Sequence, residues 1–240
     1  MVITIIGSGG KTSLLWAFAA QNRKKRVLVT TTTRIQAPNA ALGLYDTLLV
    51  LDEKDESRFS IPASAPAGIT LAGSIQHEAD GSVKFRSLPL ELLETLIPLY
   101  DYVFIEGDGS RTLPLKAWAD WEPVLTESTI LTVGVIPLWP LGKKTSGQFI
   151  HRLKLWTELT GAEEDSIITK EHITRAITGW NGRRGLFDAA KGSRILLFNQ
   201  IEDREAFSNA VSIASLLKER SFKLDLIIAG SIKNSIFEKI

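Results

Sequence analysis

Short apolar runs recur along the chain, each bounded by glycine, proline or polar residues. Val2–Ile6 and Tyr102–Glu106 are apolar, partly β-branched runs that predict buried strands, and each leads directly into glycine. Asp80 and Gly81 lie between two extended stretches and predict a hairpin turn. Further strands are predicted at Arg26–Thr33, Thr47–Asp52, Ile69–Ser74, Thr129–Ile136, Arg194–Phe198 and Leu224–Ala229.

Segments with apolar residues at helical spacing separate these strands. They predict helices at Thr12–Asn22, Leu88–Leu99, His151–Thr160, Lys170–Thr178 and Arg204–Arg220. Because strands alternate with helices, we expect an α/β fold of three layers, in which a mostly parallel sheet carries helices on both faces. We expect one domain over residues 1–240 with P-loop NTPase-like topology. The irregular stretch 137–193 predicts a small helical insertion that forms a subdomain or lid.

Charge and hydropathy give no reason to expect nucleic acid or a membrane as a partner. The chain has 28 basic and 27 acidic side chains, a formal charge of +1. That balance gives no electrostatic reason to expect binding to nucleic acid or to an anionic membrane. No apolar run reaches the roughly 18–20 residues that span a bilayer, and no basic segment precedes the first strand. We expect a cytoplasmic protein.

The chain contains no cysteine. This excludes thiolate zinc sites, iron–sulfur ligation and a persulfide or selenopersulfide carried on this chain. The three histidines, His77, His151 and His172, are widely separated. Any chemistry therefore falls to oxygen groups, lysine, arginine, backbone amides or a hard cation.

A glycine-rich turn joins the first predicted strand to the first predicted helix. It consists of Gly7, Ser8, Gly9, Gly10, Lys11, Thr12 and Ser13. In this context the backbone amides and the helix N-terminus predict a phosphate-binding loop, with Lys11 reaching the terminal phosphates and Thr12 ligating Mg²⁺. Ile5 stands where the usual Walker A motif has its first glycine, so the loop is shorter than that motif. The alternative is a structural turn with an incidental lysine.

Two carboxylates follow a predicted buried strand. Glu106 and Asp108 are two residues apart, and residues at that spacing in an extended chain point to the same side. Ligands of open parallel sheets bind outside the carboxyl ends of the strands. We therefore predict that Asp108 positions Mg²⁺ with Thr12 and that Glu106 orients an attacking water. The alternative is an acidic turn between glycines.

Further candidates lie at other strand ends. Arg34 follows the second strand and is predicted to pair with phosphate. Asn199 and Glu202 are similar to the Asn-Lys-x-Asp segment by which many GTPases bind guanine, although Gln200 replaces the lysine and Glu202 the aspartate. The alternative roles are a strand-end cap for Asn199 and a solvated charge for Glu202. A further set of basic residues is predicted to form an anion-binding surface, and the alternative is that they are simply solvated. The set is Lys143, Lys144, His151, Arg152, Arg183 and Arg184.

Together these segments resemble the YqeC-like family, whose members are described as accessory proteins of selenium-dependent hydroxylases. The matching stretches are Gly7–Ser13, Thr30–Thr33, Glu106–Arg111, Leu113–Ala117, Glu122–Val124, His151–Arg152 and Phe198–Gln200. Two positions differ: Gly107 stands where relatives carry alanine, and Glu202 stands where aspartate is commoner.

The resemblance implies a role in maturing selenium-dependent molybdenum hydroxylases, through action on the molybdenum cofactor or its selenium ligand. It implies that cofactor or the hydroxylase as a partner. The chain also resembles the broader P-loop class that includes nickel-insertion GTPases and the accessory protein of molybdopterin guanine dinucleotide. A molybdopterin nucleotide is therefore a candidate ligand beside ATP and GTP.

Three functions stay open on these grounds. The first is Mg²⁺-dependent hydrolysis of ATP or GTP by a maturation factor, with Lys11, Glu106 and Asp108 as catalytic residues. The second is ATP-dependent amide ligation, because Mur ligases and folylpolyglutamate synthases carry similarly short loops. Such ligases have extra domains that 240 residues hardly accommodate. The third is binding of a pyrophosphate-containing cofactor without hydrolysis.

Overall fold

The structure is a computed structural model that describes residues 1–36, 40–52, 59–77 and 83–240. The strands are β1 (Val2–Gly7), β2 (Arg26–Thr31), β3 (Ile35–Gln36), β4 (Thr47–Asp52), β5 (Gly68–His77), β6 (Val83–Arg86), β7 (Tyr102–Glu106), β8 (Leu115–Lys116), β9 (Leu131–Pro137), β10 (Ile150–His151), β11 (Ser193–Asn199), β12 (Leu226–Ser231) and β13 (Ile236–Lys239). The helices are α1 (Lys11–Gln21), α2 (Leu90–Leu96), α3 (Leu153–Thr160), α4 (Lys170–Thr178) and α5 (Arg204–Glu219), with short 3₁₀ turns at Ala40–Leu42 and Ile97–Leu99.

Within the described ranges, eleven of these strands form one sheet in the order β13-β12-β11-β9-β1-β7-β2-β5-β6-β3, and β4 pairs with β5. Eight strands run parallel, from β12 across β1 to β4, whereas β13 pairs antiparallel with β12, β6 with β5, and β3 with β6. β1 lies between β7 and β9, with Ile5 opposite Glu106 and Gly7 opposite Val135. The carboxyl end of β1 therefore lies beside the carboxyl ends of both neighbouring strands.

Helices cover both faces of this sheet. Along β1, Ile3 and Ile5 pack with α1 on one face, whereas Val2 packs in the cluster that contains α2 on the other. Ile6 joins a third cluster, which contains α3, α4 and α5 on that second face. This alternation is the period-two pattern of a strand buried on both sides. The predicted three-layer α/β fold with a mostly parallel sheet is confirmed, and the more specific P-loop NTPase-like topology stays a prediction.

The stretch 137–193 contains α3 and α4 and a long irregular segment. Its buried residues Trp156, Ile173 and Phe187 belong to the same hydrophobic cluster as Ile136 of β9 and Ile213 of α5. The stretch thus packs against the second face of the sheet. Its movement as a lid, and the single-domain organisation of the chain, stay predictions.

Several boundaries differ from the predicted ones for local reasons. The helix expected from His151 begins at Leu153, because His151 belongs to β10 and Arg152 adopts left-handed backbone with φ of 62°. The helix expected over residues 88–99 ends at Leu96 and tightens into a 3₁₀ turn that contains a proline. The hairpin turn predicted at residues 80–81 lies outside the described residues. No helix in the described part of the chain combines the length and apolar character needed to cross a bilayer.

The packing of the 137–193 stretch yields a stability prediction. The ring of Phe187 is buried and lies over Gly134 of β9, where a Cβ would come within 2.5 Å of the ring. We expect Phe187→Ala to lower the free energy of unfolding by about 3–5 kcal/mol, because a cavity forms beneath the sheet. Urea denaturation measures this loss, with Phe237→Ala on the exposed face of β13 as the matched control. Equal losses in both variants would contradict this packing.

Candidate functional site

The glycine-rich loop is held by close packing against two neighbouring strand ends. Gly9 and Gly10 have φ of 69° and 133°, which L side chains rarely adopt. A Cβ on Gly9 would lie 2.3 Å from Pro137 at the end of β9. A Cβ on Gly10 would lie 2.3 Å from the side-chain amide of Asn199 at the end of β11. The loop therefore requires glycine at both positions.

Lys11, the first residue of α1, is buried although it carries a charge. It is 4 % exposed, and its Nζ donates to the carbonyl oxygen of Gly7 at 2.7 Å. Nζ also lies 3.7 Å from Oε1 of Glu106 and 3.5 Å from Oδ1 of Asp108. The predicted phosphate-binding lysine and the two predicted carboxylates thus meet at the end of β1 and β7.

Asp108 is fully buried and fixes the start of the loop. Its two carboxylate oxygens accept from the backbone N–H of Gly7 at 3.0 and 3.1 Å. Oδ2 also accepts from Nζ of Lys116 at 3.0 Å and from Nε1 of Trp118 at 2.8 Å. Because these donors and Lys11 surround the carboxylate, Asp108 holds the backbone at Gly7 in place. Its predicted role as a Mg²⁺ ligand stays a prediction.

Glu106 faces the loop from the end of β7. Its Oε2 accepts a hydrogen bond from the Thr12 hydroxyl at 2.8 Å. Its backbone carbonyl accepts from the Thr31 hydroxyl at 2.9 Å and from the N–H of Thr32 at 3.0 Å. The threonine run at the end of β2 therefore holds the backbone of Glu106, while the carboxylate reaches Thr12.

The two carboxylates have opposite pKa shifts. Burial raises the pKa of Glu106 above its ordinary value, although the charge of Lys11 and the Thr12 hydroxyl act against it. Burial acts on Asp108 in the same sense, but the charges of Lys11 and Lys116 outweigh it and leave the pKa of Asp108 below its ordinary value. Asp108 consequently stays ionised, and Glu106 is the member of the pair suited to exchange a proton.

A second layer of charges surrounds Asp108; sequence reasoning assigned no role to Lys116 and Glu122 and considered Arg152 only as part of an anion-binding surface. The buried Lys116 donates to the carbonyl oxygen of Gly109 at 2.7 Å and to Glu122 at 3.0 Å. Arg152 also donates to Glu122 and to the carbonyl oxygen of Ala117 at 3.3 Å. Lys116 lies on the short strand β8, which pairs with β10. The signal for these residues was the 113–117, 122–124 and 151–152 stretches, which were among those that carried the family resemblance.

Two clefts flank the N-terminus of α1. The β11-side cleft, about 740 Å³, is lined by Gly10, Ser13, Trp139, Asn199, Glu202 and Lys233 among others. The β7-side cleft, about 730 Å³, is lined by Lys11, Thr12, Arg34, Leu71, Glu106 and Arg111 among others. The structure thus divides the predicted binding residues, with Arg34 on the side of the carboxylates and Glu202 on the opposite side.

Asn199 contacts the loop directly. Its amide Nδ2 donates to the carbonyl oxygen of Gly9 at 2.8 Å, and its Oδ1 accepts from the N–H of Ile232 at 3.0 Å. These bonds tie the loop to the ends of β11 and β12. They match the strand-end cap, the alternative role considered for Asn199. Ile232 and Lys233 line the same cleft, and sequence reasoning missed them.

Two of the other predicted basic residues have protein partners. Arg183 pairs with Glu158, and Arg184 donates to the carbonyl oxygen of Asp120 at 2.8 Å. Burial and the nearby charge of Arg152 lower the pKa of His151 to about 4, so this imidazole is neutral at neutral pH. Among the described residues no cluster of three or more histidine or acidic side chains forms a metal site by itself.

Comparison with known proteins places this chain in a family. The chain matches the YqeC family over residues 3–154. It belongs to that family. It is 32 % identical over 174 residues to a protein of Escherichia coli (strain K12) named "Uncharacterized protein YqeC". The alignment covers 70 % of this chain and 63 % of that relative, so this chain spans less than two thirds of the relative's length. No solved structure matches the chain.

The family match divides the site. Residues 3–154 include the loop, the threonine run, both carboxylates and the Lys116–Glu122–Arg152 network. Asn199, Glu202 and Lys233, on the β11 side, lie outside the matched range. The family model therefore covers the carboxylate side of the site, but it does not cover these three residues of the β11-side cleft.

The pKa shifts predict opposite effects of pH on stability. The folded-state pKa of Glu106 is above its ordinary 4.5, so its contribution to stability is present below that value and is lost as the pH rises through the folded-state pKa. The folded-state pKa of Asp108 is below its ordinary 3.8, so its contribution is present above that value and is lost as the pH falls.

Replacing each carboxylate by the amide of the same shape separates the effects of Glu106 and Asp108 on stability. At about pH 8 we expect Glu106→Gln to be more stable than the wild type, because a costly buried charge is gone, and Asp108→Asn to be less stable. Urea denaturation from about pH 5 to about pH 8 checks both signs. Destabilisation of both variants by similar amounts would contradict the assigned environments.

The buried cation Lys116 yields a further prediction. Lys116→Met keeps the bulk of the side chain but leaves the Asp108 carboxylate without one of its cations, so we expect a loss of about 3–5 kcal/mol in unfolding free energy. Arg23→Met, at the exposed Arg23–Asp46 pair, is the matched control and should lose much less. Chemical denaturation of both variants measures the difference. Near-identical stabilities would show that the buried network contributes little.

Proposed function

We propose that this protein binds a Mg²⁺–nucleoside triphosphate at the glycine-rich loop and hydrolyses it. We propose further that it acts as an accessory factor in maturing selenium-dependent molybdenum hydroxylases or their molybdenum cofactor. One observation carries the nucleotide part. Lys11 and Thr12, at the first turn of α1, face Glu106 and Asp108 at the end of the adjacent strand.

The loop offers two kinds of phosphate contact, from backbone N–H groups and from Lys11. Backbone N–H groups at the start of α1 point along the helix axis, and the helix dipole favours an anion there. Lys11 supplies an ammonium group that donates a hydrogen bond to the carbonyl oxygen of Gly7. The same group can donate to a phosphate oxygen instead. The bound triphosphate would offset the desolvation of Lys11 better than a neutral carbonyl does.

The residues present suit Mg²⁺ held together with a nucleotide. Thr12 Oγ1 is the oxygen at the loop that would ligate Mg²⁺, since hard cations prefer oxygen, and Glu106 Oε2, 2.8 Å from it, would accept a hydrogen bond from a Mg²⁺-bound water. Mg²⁺ bound there would neutralise charge on the phosphate oxygens. Few protein oxygens lie close enough together to ligate Mg²⁺. Phosphate and water oxygens would therefore complete its coordination shell, which is usual for Mg²⁺ in nucleotide sites.

Glu106 is the residue we propose for water activation. Its pKa is raised by burial, which brings it closer to neutral pH and makes the carboxylate a better proton acceptor. Asp108 instead holds Gly7 and balances Lys11 and Lys116. We therefore propose that Glu106 orients water or a Mg²⁺-bound water and that Asp108 positions the loop.

The β11-side cleft is our proposed location for the nucleoside. Glu202 is the acidic residue among the described side chains that line it. A carboxylate can accept two N–H donors from the edge of guanine but one amino group from adenine, which favours GTP over ATP. Trp139 lines the same cleft and has 44 % of its surface exposed, so its ring is available for stacking.

The maturation role rests on the family relationship. This chain lacks cysteine, so selenium cannot be carried on it as a persulfide-type species. We propose that the selenium chemistry takes place on a partner or on the cofactor and that nucleotide turnover by this protein drives or times that step. The amide-ligase alternative gains no specific support from the site.

The nucleotide proposal predicts a defined loss. Lys11→Ala removes the cation of the loop, so we expect at least about tenfold weaker binding of Mg²⁺–GTP and Mg²⁺–ATP, since hydrogen bonds to charged groups contribute about 1.5–3 kcal/mol. Isothermal titration calorimetry measures the affinities, with the exposed Lys24→Ala as control. Glu106→Gln separates the two activities, because it should keep binding and lose hydrolysis.

Unchanged affinity in Lys11→Ala would refute the phosphate loop. Full hydrolysis in Glu106→Gln would refute the role of Glu106 while leaving binding intact. Tight binding with no turnover in the wild type would select the third function, a non-hydrolysing binder of a pyrophosphate-containing cofactor, over the NTPase.

A further inference from the structure

The two clefts beside α1 differ in which end of a nucleotide they would meet. Both include Gly10, Ser13 and Gln200, so they adjoin at the loop. Among the described residues, Lys11 and Glu106 line the β7-side cleft and do not line the β11-side one. If the nucleoside occupies the β11 side, the terminal phosphate is at the mouth of the β7-side cleft.

The β7-side cleft is larger and more apolar than attack by water requires. Its volume of about 730 Å³ falls within the range of small-molecule sites. Its wall includes Leu15, Val29 and Leu71, which are buried, and Trp16, which is partly exposed. A hydrolytic site needs space for one water, whereas an apolar wall of this extent suits the body of an organic molecule.

The charges around this cleft are predominantly positive. Besides Lys11, which faces the carboxylates, Arg34 and Arg111 line it and both are exposed. Glu106 is the acidic side chain among the described lining residues, and Lys11 and Thr12 contact it. Arg34 and Arg111 place two planar, positively charged groups on the wall of the cleft, and such groups suit an anion.

The backbone supports this arrangement on the side of Arg111. Arg111 and Thr112 have consecutive positive φ values of 51° and 63°. Non-glycine residues rarely adopt this conformation, and two in succession carry a conformational cost that surrounding structure must offset. The turn keeps both residues on the wall of the cleft directly after the Glu106–Asp108 segment.

The geometry points to the β7-side cleft as a second ligand site, which takes a small organic anion with an apolar body beside the terminal phosphate. The apolar wall holds the body, and Arg34 and Arg111 bind the anionic group. This assignment rests on the proposed function only for the position of the phosphate. The anion site itself depends on the cleft and its two arginines.

A pair of naphthalene probes tests the site on the full chain. 8-Anilinonaphthalene-1-sulfonate combines a flat apolar body with a sulfonate, and N-phenyl-1-naphthylamine is its neutral analogue. Fluorescence titration should show that Arg111→Gln and Arg34→Gln each weaken the anionic probe about tenfold, as for loss of a charge-assisted contact, and leave the neutral probe within about twofold. Trp16→Ala should weaken both probes. Lys233→Gln, in the β11-side cleft, is the control and should change neither.

The same titration in the presence of Mg²⁺ and a non-hydrolysable triphosphate separates the two proposals. Simultaneous binding of nucleotide and anionic probe supports a second site. Competitive displacement of the probe overturns it, because the cleft would then be part of the nucleotide site, while nucleotide binding stands. Arginine-dependent probe binding in a protein that binds no nucleotide leaves the anion site standing and refutes the proposed function. Absence of arginine-dependent binding overturns the anion site.

Discussion

The buried carboxylate of Asp108 is the interaction on which the site depends. An uncompensated charge at a fully buried position would cost several kcal/mol, so the surrounding chain has to supply donors and cations. The backbone of Gly7, the ammonium groups of Lys11 and Lys116 and the indole of Trp118 supply them. This one group therefore connects the end of β1, the start of α1 and the β8 strand, and it fixes the shape of the loop.

With the anchor at Asp108, the neighbouring Glu106 is available for chemistry. The two carboxylates lie two residues apart, yet their pKa values move in opposite directions because Asp108 has two close lysines and Glu106 is mainly desolvated. Groups whose pKa values are driven apart in this way commonly divide acid–base and electrostatic roles. Lys11 lies close to both carboxylates and donates to the carbonyl oxygen of Gly7.

Local sequence signals predicted the centre of the site, and non-local contacts determined its surroundings. The strand–glycine–helix pattern predicted the loop, and the rule that ligands bind at the carboxyl ends of parallel strands predicted that Glu106 and Asp108 would meet it. Lys116 was not given a role, because a lone lysine in a two-residue strand has no periodic signature. The sequence could not decide whether Asn199 binds guanine or caps a strand end, because its amide contacts Gly9, which is far away in the chain.

A structure of the protein with Mg²⁺ and a non-hydrolysable nucleoside triphosphate tests the central claim most directly. The account predicts phosphate oxygens on the backbone N–H groups of residues 9–12, with Nζ of Lys11 moved from the Gly7 carbonyl oxygen to a phosphate and with Asp108 still bound to the N–H of Gly7. Phosphates bound elsewhere, with Lys11 still donating to Gly7, would contradict it.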